Sequence, residues 1–229
     1  MKYEVIIFDA DETLFDFKKS EREAFKNAML EFNIEYDESY HLSVYSDINK
    51  AIWKEFEDGL ITQKKLKVER FKRLADKLNI EFDESLFAES YMKHLSYASF
   101  LYEDSIELIE SLSKGYRLCI ITNGLKDVQD NRIKKSVIAK YFEDIVVSEE
   151  VNVSKPDPKI FEIALNNIKY LDKSKVLMVG DSLTSDIKGG INFGVDTCWF
   201  NTNKMENKTG IKPTYEISNL MELKDMLVK

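Results

Sequence analysis

The period of the hydrophobic pattern changes along the chain, and each change predicts a different kind of element. Tyr3-Glu4-Val5-Ile6-Ile7-Phe8 is a short apolar run rich in β-branched and aromatic residues, the pattern of a buried strand. From Ser20 to about Leu95 the spacing turns helical. Ser20 with Glu23 reads as a capping box, with Ala24, Met29 and Phe32 recurring behind it. Ser43 to Glu57 predicts a second helix, with Ile48, Ile52 and Phe56 on one face and Asp58-Gly59 as its stop. Thr62 to Leu78 predicts a third, carrying Leu66, Phe71, Leu74 and Leu78, and Asp83 to His94 a fourth.

From about Asp104 helix and strand alternate. Helices are expected from Ser105, after Leu125, from Asp157, from Thr184 and from Asn219. Strands are expected at Arg117, at Ile145-Val146-Val147, at Val176, over Val195 to Phe200 and near Tyr215. Such alternation predicts an α/β fold, a Rossmann-like parallel sheet with helices on both faces. The first strand belongs to that sheet, so the helical block is an insertion after it. The expected organisation is a discontinuous α/β core, residues 1–17 and 98–229, with a helical cap over 18–97. The connections near Phe17 and Ser99 would act as a hinge.

Composition narrows the classes without deciding among them. At 229 residues and 44% hydrophobic content the chain has material for one large domain, or a core with a smaller partner. A net charge of −8 argues against sequence-independent nucleic-acid binding, which needs a basic surface. A small anionic substrate remains compatible, because one local site can be cationic on an acidic protein. Cys119 and Cys198 sit in apolar runs and are expected to be packing residues rather than a redox pair. No basic-then-apolar leader pattern is seen at the start, and no apolar run approaches the ~20 residues that span a bilayer. The expectation is a soluble, cytoplasmic protein without nucleic-acid or membrane partners, a monomer or small homo-oligomer.

Chemistry concentrates at the strand ends. The first run delivers Asp9 and Asp11 to its C-terminal tip, and close carboxylates are costly unless a cation neutralises them. A divalent metal with a chemical task accounts for such a pair; a solvated acidic loop is the plainer alternative. The run at Arg117 ends in Thr122-Asn123-Gly124, the run at Val176 ends in Gly180-Asp181-Ser182, and Asp186 follows. Between them stands Val153-Ser154-Lys155-Pro156-Asp157-Pro158. In a parallel α/β sheet, sites form outside the C-terminal strand ends. One edge would therefore collect Asp9, Asp11, Thr122, Lys155, Asp181 and Asp186. Taken singly, the Thr122 segment reads as a turn, Lys155 as a surface lysine, and Asp186 as a helix-start carboxylate.

In this order the segments resemble the four motifs of the haloacid dehalogenase-like hydrolases, with a helical insert similar to the C1-type cap. The resemblance implies a phosphatase in which Asp9 is the nucleophile and forms an aspartyl-phosphate. Asp11 would protonate the leaving oxygen and later activate water, while its backbone carbonyl binds magnesium. Asp9 and Asp181 would be carboxylate ligands of the metal, with Asp186 acting through water or by orienting Lys155. Thr122, the Asn123 N–H and Lys155 would stabilise charge on the transferring phosphoryl group. Magnesium is the expected cofactor, with manganese as a substitute. The aspartate at position 11 argues for phosphate esters over haloacids.

Substrate choice would lie in the cap and the loop after Thr13. Phe15, Phe17, Trp53 and Phe56 offer aromatic faces for a nucleobase, although helical spacing by itself favours the cap aromatics as core. The opening motif with Ala10 between its aspartates, the Trp53 to Thr62 stretch, Ser148-Glu149-Glu150-Val151, Gly189-Gly190-Ile191-Asn192 and Cys198-Trp199 resemble the bacterial pyrimidine 5′-nucleotidases. That narrower likeness implies UMP, dUMP and dTMP as substrates. Two rivals stand beside it: a phosphatase of small sugar phosphates or phosphoglycolate, and a non-catalytic regulator on the same fold.

Overall fold

Val5, Ile6, Ile7 and Phe8 send their side chains alternately to the two faces of one sheet, as strand geometry requires. The computed structural model describes residues 2–227. Its sheet has six parallel strands: β1 Val5–Phe8, β2 Arg117–Thr122, β3 Asp144–Val147, β4 Val176–Gly180, β5 Asp196–Phe200 and β6 Tyr215–Ile217. Their order is β3-β2-β1-β4-β5-β6, so β1 lies between β2 and β4. Successive strands are added to one side of β1 as far as β3 and to its other side from β4 onward, a switch point that leaves a crevice at the C-terminal ends of β1 and β4.

The two faces bury different sets. Ile6 and Phe8 join Leu118, Ile120, Leu177 and Val179 on one side. Val5 and Ile7 join Cys119, Ile121, Val176 and Met178 on the other. Ser105–Leu112 and Leu220–Leu227 cover the first face; Pro158–Asn167 and Lys188–Phe193 cover the second. Both cysteines are buried in strands, and burial pushes each thiol up to about 12.

The backbone divides into two compact units: residues up to Phe17 with those from Ser99 onward, and Lys18–Ala98. Within the first unit, the two segments that lead to the second run side by side. Phe15 and Leu101 form an antiparallel bridge, and the Asp16 N–H donates to Phe100 O at 2.9 Å.

The second unit holds α1 (Phe17–Glu31, whose first residue belongs to the other unit), α2 (Ser43–Glu57), α3 (Gln63–Leu78) and α4 (Glu84–Tyr97). Thr62 and Asp83 cap α3 and α4 by accepting from the Lys65 and Leu86 N–H groups. Its interior is aromatic: Phe25 stacks on Tyr45 at 4.5 Å, and Phe71 packs on Phe87 at 5.0 Å and Tyr91 at 5.1 Å. The expected capping box at Ser20 is not formed. α1 starts three residues earlier, and Ser20 lies buried on the same helical stripe as Ala24 and Ala28.

A second departure lies after β4. The helix expected from Thr184 begins as a wide π-type turn over Leu183–Ile187 and becomes α-helical only over Lys188–Phe193. The Asp186 and Ile187 N–H groups both donate to Ser182 O, and the turn carries the Asp186 carboxylate back toward the sheet. No helix among the described residues is long and apolar enough to cross a membrane.

Candidate active site

β1 ends at Phe8, and Asp9 is the first residue beyond it. Its N–H donates to Val179 O at 2.8 Å, so the backbone at Asp9 is still fastened to β4. The chain then turns sharply. The N–H groups of Leu14 and Phe15 both donate to Ala10 O, and Glu12 adopts a positive φ of 60°. This turn separates the two aspartates: Asp9 faces into the sheet edge and Asp11 stands apart from it.

The Asp9 side chain is held at both oxygens. Lys155 Nζ donates to Oδ1 at 2.5 Å, and Thr13 Oγ1 donates to Oδ2 at 3.2 Å. Lys155 also donates to Ile121 O at 2.8 Å and pairs with Asp186 Oδ1 at 2.7 Å. Its side chain is 1% exposed, so this is a buried cation between two carboxylates rather than a surface lysine. Burial opposes its charge, but Asp186 and Asp9 more than offset that and hold the ammonium charged.

Lys155 reaches this point because its turn is braced. Asn123 Nδ2 donates to Lys155 O at 2.9 Å, and the Lys155 N–H donates to Asn123 Oδ1 at 2.8 Å. The Lys155–Pro156 peptide is cis, and Asp157 caps the helix Pro158–Asn167 by accepting from the Lys159 N–H. The Asn123 side chain thus serves the lysine, a role that its place in a turn-like tripeptide did not signal.

Asp181 and Asp186 complete the cluster. Ligand oxygens of Asp9, Asp181 and Asp186 lie within 4.8 Å of one another. Burial, then Asp186 and Asp9, push the Asp181 carboxyl up to about 8. Burial also pushes Asp9 up to about 6, with Lys155 pulling the other way and Asp186 adding to the rise. Asp186 is bound on both sides, by Lys155 at Oδ1 and by the Ser182 N–H at Oδ2, 2.9 Å away. Gly180 makes room for it, since a Cβ there would lie 2.3 Å from Asp186 Oδ2. The Asp181 carbonyl accepts from Trp199 Nε1 at 2.8 Å.

The donor set suits a hard divalent cation. It consists of carboxylate oxygens without thiol or imidazole. Three carboxylates against one ammonium leave two negative charges, which one such ion would balance. The acidic cluster is therefore a metal site in its chemistry, and the raised carboxyls record burial first and mutual repulsion second, both of which a cation would offset.

Asp11 stands outside that cluster. Its carboxylate accepts from Arg132 Nη2 and, at 2.9 Å, from Gln129 Nε2. Sequence reading named neither partner, because an arginine and a glutamine three apart on a short helix look like any helix face. A metal role for Asp11 would fall to its backbone carbonyl. Thr122 is 1% exposed at the end of β2 and accepts from Gln129 Nε2 at 3.2 Å.

The aromatic candidates separate. Phe15 is fully buried in the sheet's core, with its ring centre 5.4 Å from the Arg132 guanidinium. It is placed to support Arg132, not to offer a stacking face, which corrects the expectation of a base-binding ring. Trp53 belongs to the Lys18–Ala98 unit, half-buried on α2 and edge-on to Phe56 at 5.7 Å.

Comparison with known proteins agrees with this arrangement. Pyrimidine 5′-nucleotidase YjjG of Escherichia coli is 36% identical over the whole of both chains. Pyrimidine 5′-nucleotidase PynA of Streptococcus pneumoniae is 36% identical over all of this chain and 97% of its own. The magnesium-bound crystal structure of the putative HAD-hydrolase YfnB of Bacillus subtilis superposes with a TM-score of 0.94 at 34% identity, over the full length of both. The sequence pattern of one family, described as haloacid dehalogenase-like hydrolase, matches residues 6–200, a span that runs from β1 through β5 and contains every acidic and basic group of the site. With full-length relatives and an acidic strand-end site in agreement, this chain belongs to the haloacid dehalogenase-like hydrolases.

Proposed function

We propose that the protein is a magnesium-dependent phosphatase that hydrolyses pyrimidine nucleoside 5′-monophosphates such as UMP, dUMP and dTMP. The observation that carries the chemistry is Asp9: a buried carboxylate gripped by Lys155, with Asp181 and Asp186 alongside. The substrate class rests on full-length similarity to two pyrimidine 5′-nucleotidases.

Asp9 and Asp181 would hold the metal, with the Asp11 carbonyl completing the protein ligands and Asp186 acting through Lys155. Magnesium is the ion we assign, with manganese as a substitute. When bound, the ion supplies charge that offsets the phosphate's own and brings it to Asp9.

One Asp9 oxygen attacks phosphorus, and the bond from phosphorus to the nucleoside 5′-oxygen breaks. The electron pair of that bond goes to the leaving oxygen, which takes a proton from Asp11. The nucleoside departs and Asp9 carries the phosphoryl group. Water then attacks phosphorus and gives a proton to Asp11, and the Asp9–phosphorus bond breaks to restore the carboxylate. Lys155, the Thr122 hydroxyl and the Asn123 N–H meet the charge that develops on the phosphoryl oxygens.

In this reading residues 1–17 and 98–229 form the catalytic core, and 18–97 form a cap that selects the leaving group, with Trp53 and Phe56 as candidate contacts. The connections near Phe17 and Ser99 serve as its hinge. The partner is a small phosphate monoester, and we assign the activity to the cytoplasm.

The test is phosphate release from UMP, dTMP, AMP, GMP and several sugar phosphates, with magnesium and with chelator. Chelator-sensitive release favouring UMP and dTMP, abolished in a folded Asp9→Asn variant, is the expected result. Preference for a sugar phosphate would overturn the substrate. Full activity of Asp9→Asn would overturn the nucleophile.

A further inference from the structure

Arg132 is an expensive residue. Its side chain is fully buried, and Nε and Nη1 have no hydrogen-bond partner among the described residues. Leaving buried guanidinium donors unpaired costs stability, and burial works against its charge. Only Nη2 is engaged, and both of its contacts lead to one place. It donates to the Asp11 carboxylate and to Gln129 Oε1 at 3.1 Å.

Gln129 closes the arrangement. Its Nε2 donates to Asp11 Oδ2 at 2.9 Å and to Thr122 Oγ1 at 3.2 Å. The amide is thereby oriented from both ends, with its oxygen on Arg132 and its nitrogen on Asp11 and Thr122. Gln129 and Arg132 are three residues apart on the helix Lys126–Arg132, hence on one face. Gly124 lets the amide lie where it does, since a Cβ at that position would fall 2.2 Å from Gln129 Nε2. Phe15 and Phe17 lie 5.4 and 5.2 Å from the guanidinium and leave it little room to swing.

We infer that Gln129 and Arg132 form a bracket that positions the Asp11 carboxyl group for proton transfer to the leaving oxygen. They are positioning residues, acting through Asp11. The inference rests on the phosphatase reading above. One oxygen of Asp11 is held by Arg132 and the other by Gln129, which removes rotation about the carboxyl axis. Each oxygen keeps a second lone pair, so the held group still has a site for the proton it moves. Proton transfer demands this control because the donor must come within about 2.6–3.2 Å of the oxygen it protonates. The leaving group makes the demand visible. A nucleoside 5′-oxygen leaves as a strongly basic alkoxide unless it is protonated, whereas 4-nitrophenolate is stable as an anion and needs no proton.

The experiment compares kcat/KM for UMP and for 4-nitrophenyl phosphate in wild type, Arg132→Met, Arg132→Lys, Gln129→Met and Asp11→Asn. kcat/KM reports events only up to departure of the leaving group, so the later role of Asp11 toward water does not enter. The ratio of UMP to 4-nitrophenyl phosphate is expected to fall roughly ten- to a hundredfold in Arg132→Met and Gln129→Met, part of the 10²–10⁴ that a general acid contributes. Asp11→Asn should show the same split, and more strongly. Arg132→Lys, which keeps charge but loses the fork, should recover part of the ratio. Gln129→Met keeps the buried cation, so it serves if Arg132→Met does not fold. Equal loss on both esters, or an unchanged ratio, would overturn the bracket while leaving the phosphatase reading intact. A wild-type protein with no metal-dependent release from either ester would overturn both.

Discussion

Asn123 and Lys155 are joined by a pair of hydrogen bonds between the asparagine amide and the lysine backbone, 2.9 and 2.8 Å long. The ammonium that grips Asp9 is therefore set by a residue 32 positions earlier in the chain. Asn123→Ala removes both bonds and leaves the Lys155 side chain intact. Misplacing a group by about 1 Å costs on the order of a hundredfold in rate, so kcat should fall roughly ten- to a hundredfold. Asn123→Asp keeps the acceptor for the Lys155 N–H and loses the donor to Lys155 O, so it should fall between the two. Steady-state kinetics on UMP checks this, and an unchanged kcat in Asn123→Ala would mean that Lys155 is held by its ion pairs alone.

Gly180 shows a constraint of space. A methyl group there would press on Asp186 at 2.3–2.6 Å. Gly180→Ala should push Asp186 away from the Ser182 N–H and Lys155, at an overpacking cost of about 1–3 kcal/mol. In an Asp186→Gly background the same change meets neither the carboxylate nor its Cβ. Its cost should then largely vanish, a coupling that a double-mutant cycle on thermal stability measures. Equal costs in both backgrounds would mean that the methyl group is accommodated elsewhere.

The acidic cluster also ties stability to pH. Asp9 and Asp181 titrate at about 6 and about 8 in the folded, metal-free chain, above the ordinary value of 3.8. Between pH 4 and 8 the folded state therefore binds more protons at these groups than the unfolded state does. Their contribution to stability is fully present at low pH and is lost as pH rises through those values. A cation that replaces the protons should restore what is lost. Magnesium should raise the melting temperature little at pH 5 and by several degrees at pH 8, where each kcal/mol is worth about 2–4 °C. Asp181→Asn should flatten this pH dependence. The same magnesium shift at both pH values would place the metal away from these carboxylates.

Much of this architecture was legible in the sequence because period and punctuation agreed. Val5 to Phe8 could only be a buried strand, and Thr62 and Asp83 stand as caps where the helical spacing begins. The strand-end rule assigns Asp9, Asp11, Thr122, Lys155, Asp181 and Asp186 to one sheet edge from the sequence alone. What remained hidden depends on tertiary contact. Gln129 and Arg132 have no spacing that marks them, and their task appears only when the helix Lys126–Arg132 faces the turn after β1. Ser20 misled because a capping pattern is local, whereas the burial of the stripe it shares with Ala24 and Ala28 is not. Phe15 misled similarly: an aromatic beside a site reads the same whether it faces ligand or core.

Trp199 connects the sheet to the backbone of Asp181 and not to its carboxylate. It pairs with Gly180 across β4 and β5, and its indole N–H donates to the Asp181 carbonyl at 2.8 Å. Trp199 is 2% exposed, so its indole N–H relies on this carbonyl rather than on bulk water. Trp199→Phe keeps most of the apolar volume and deletes the one donor. A lost hydrogen bond of this kind is worth about 0.5–1.5 kcal/mol. If that energy holds Asp181 in its ligand position, magnesium affinity should weaken by roughly two- to twelvefold. A magnesium titration followed by thermal shift reads this without requiring turnover. Weaker magnesium binding with little change in metal-free stability would assign the bond to the site. Lower metal-free stability with unchanged affinity would assign it to the sheet.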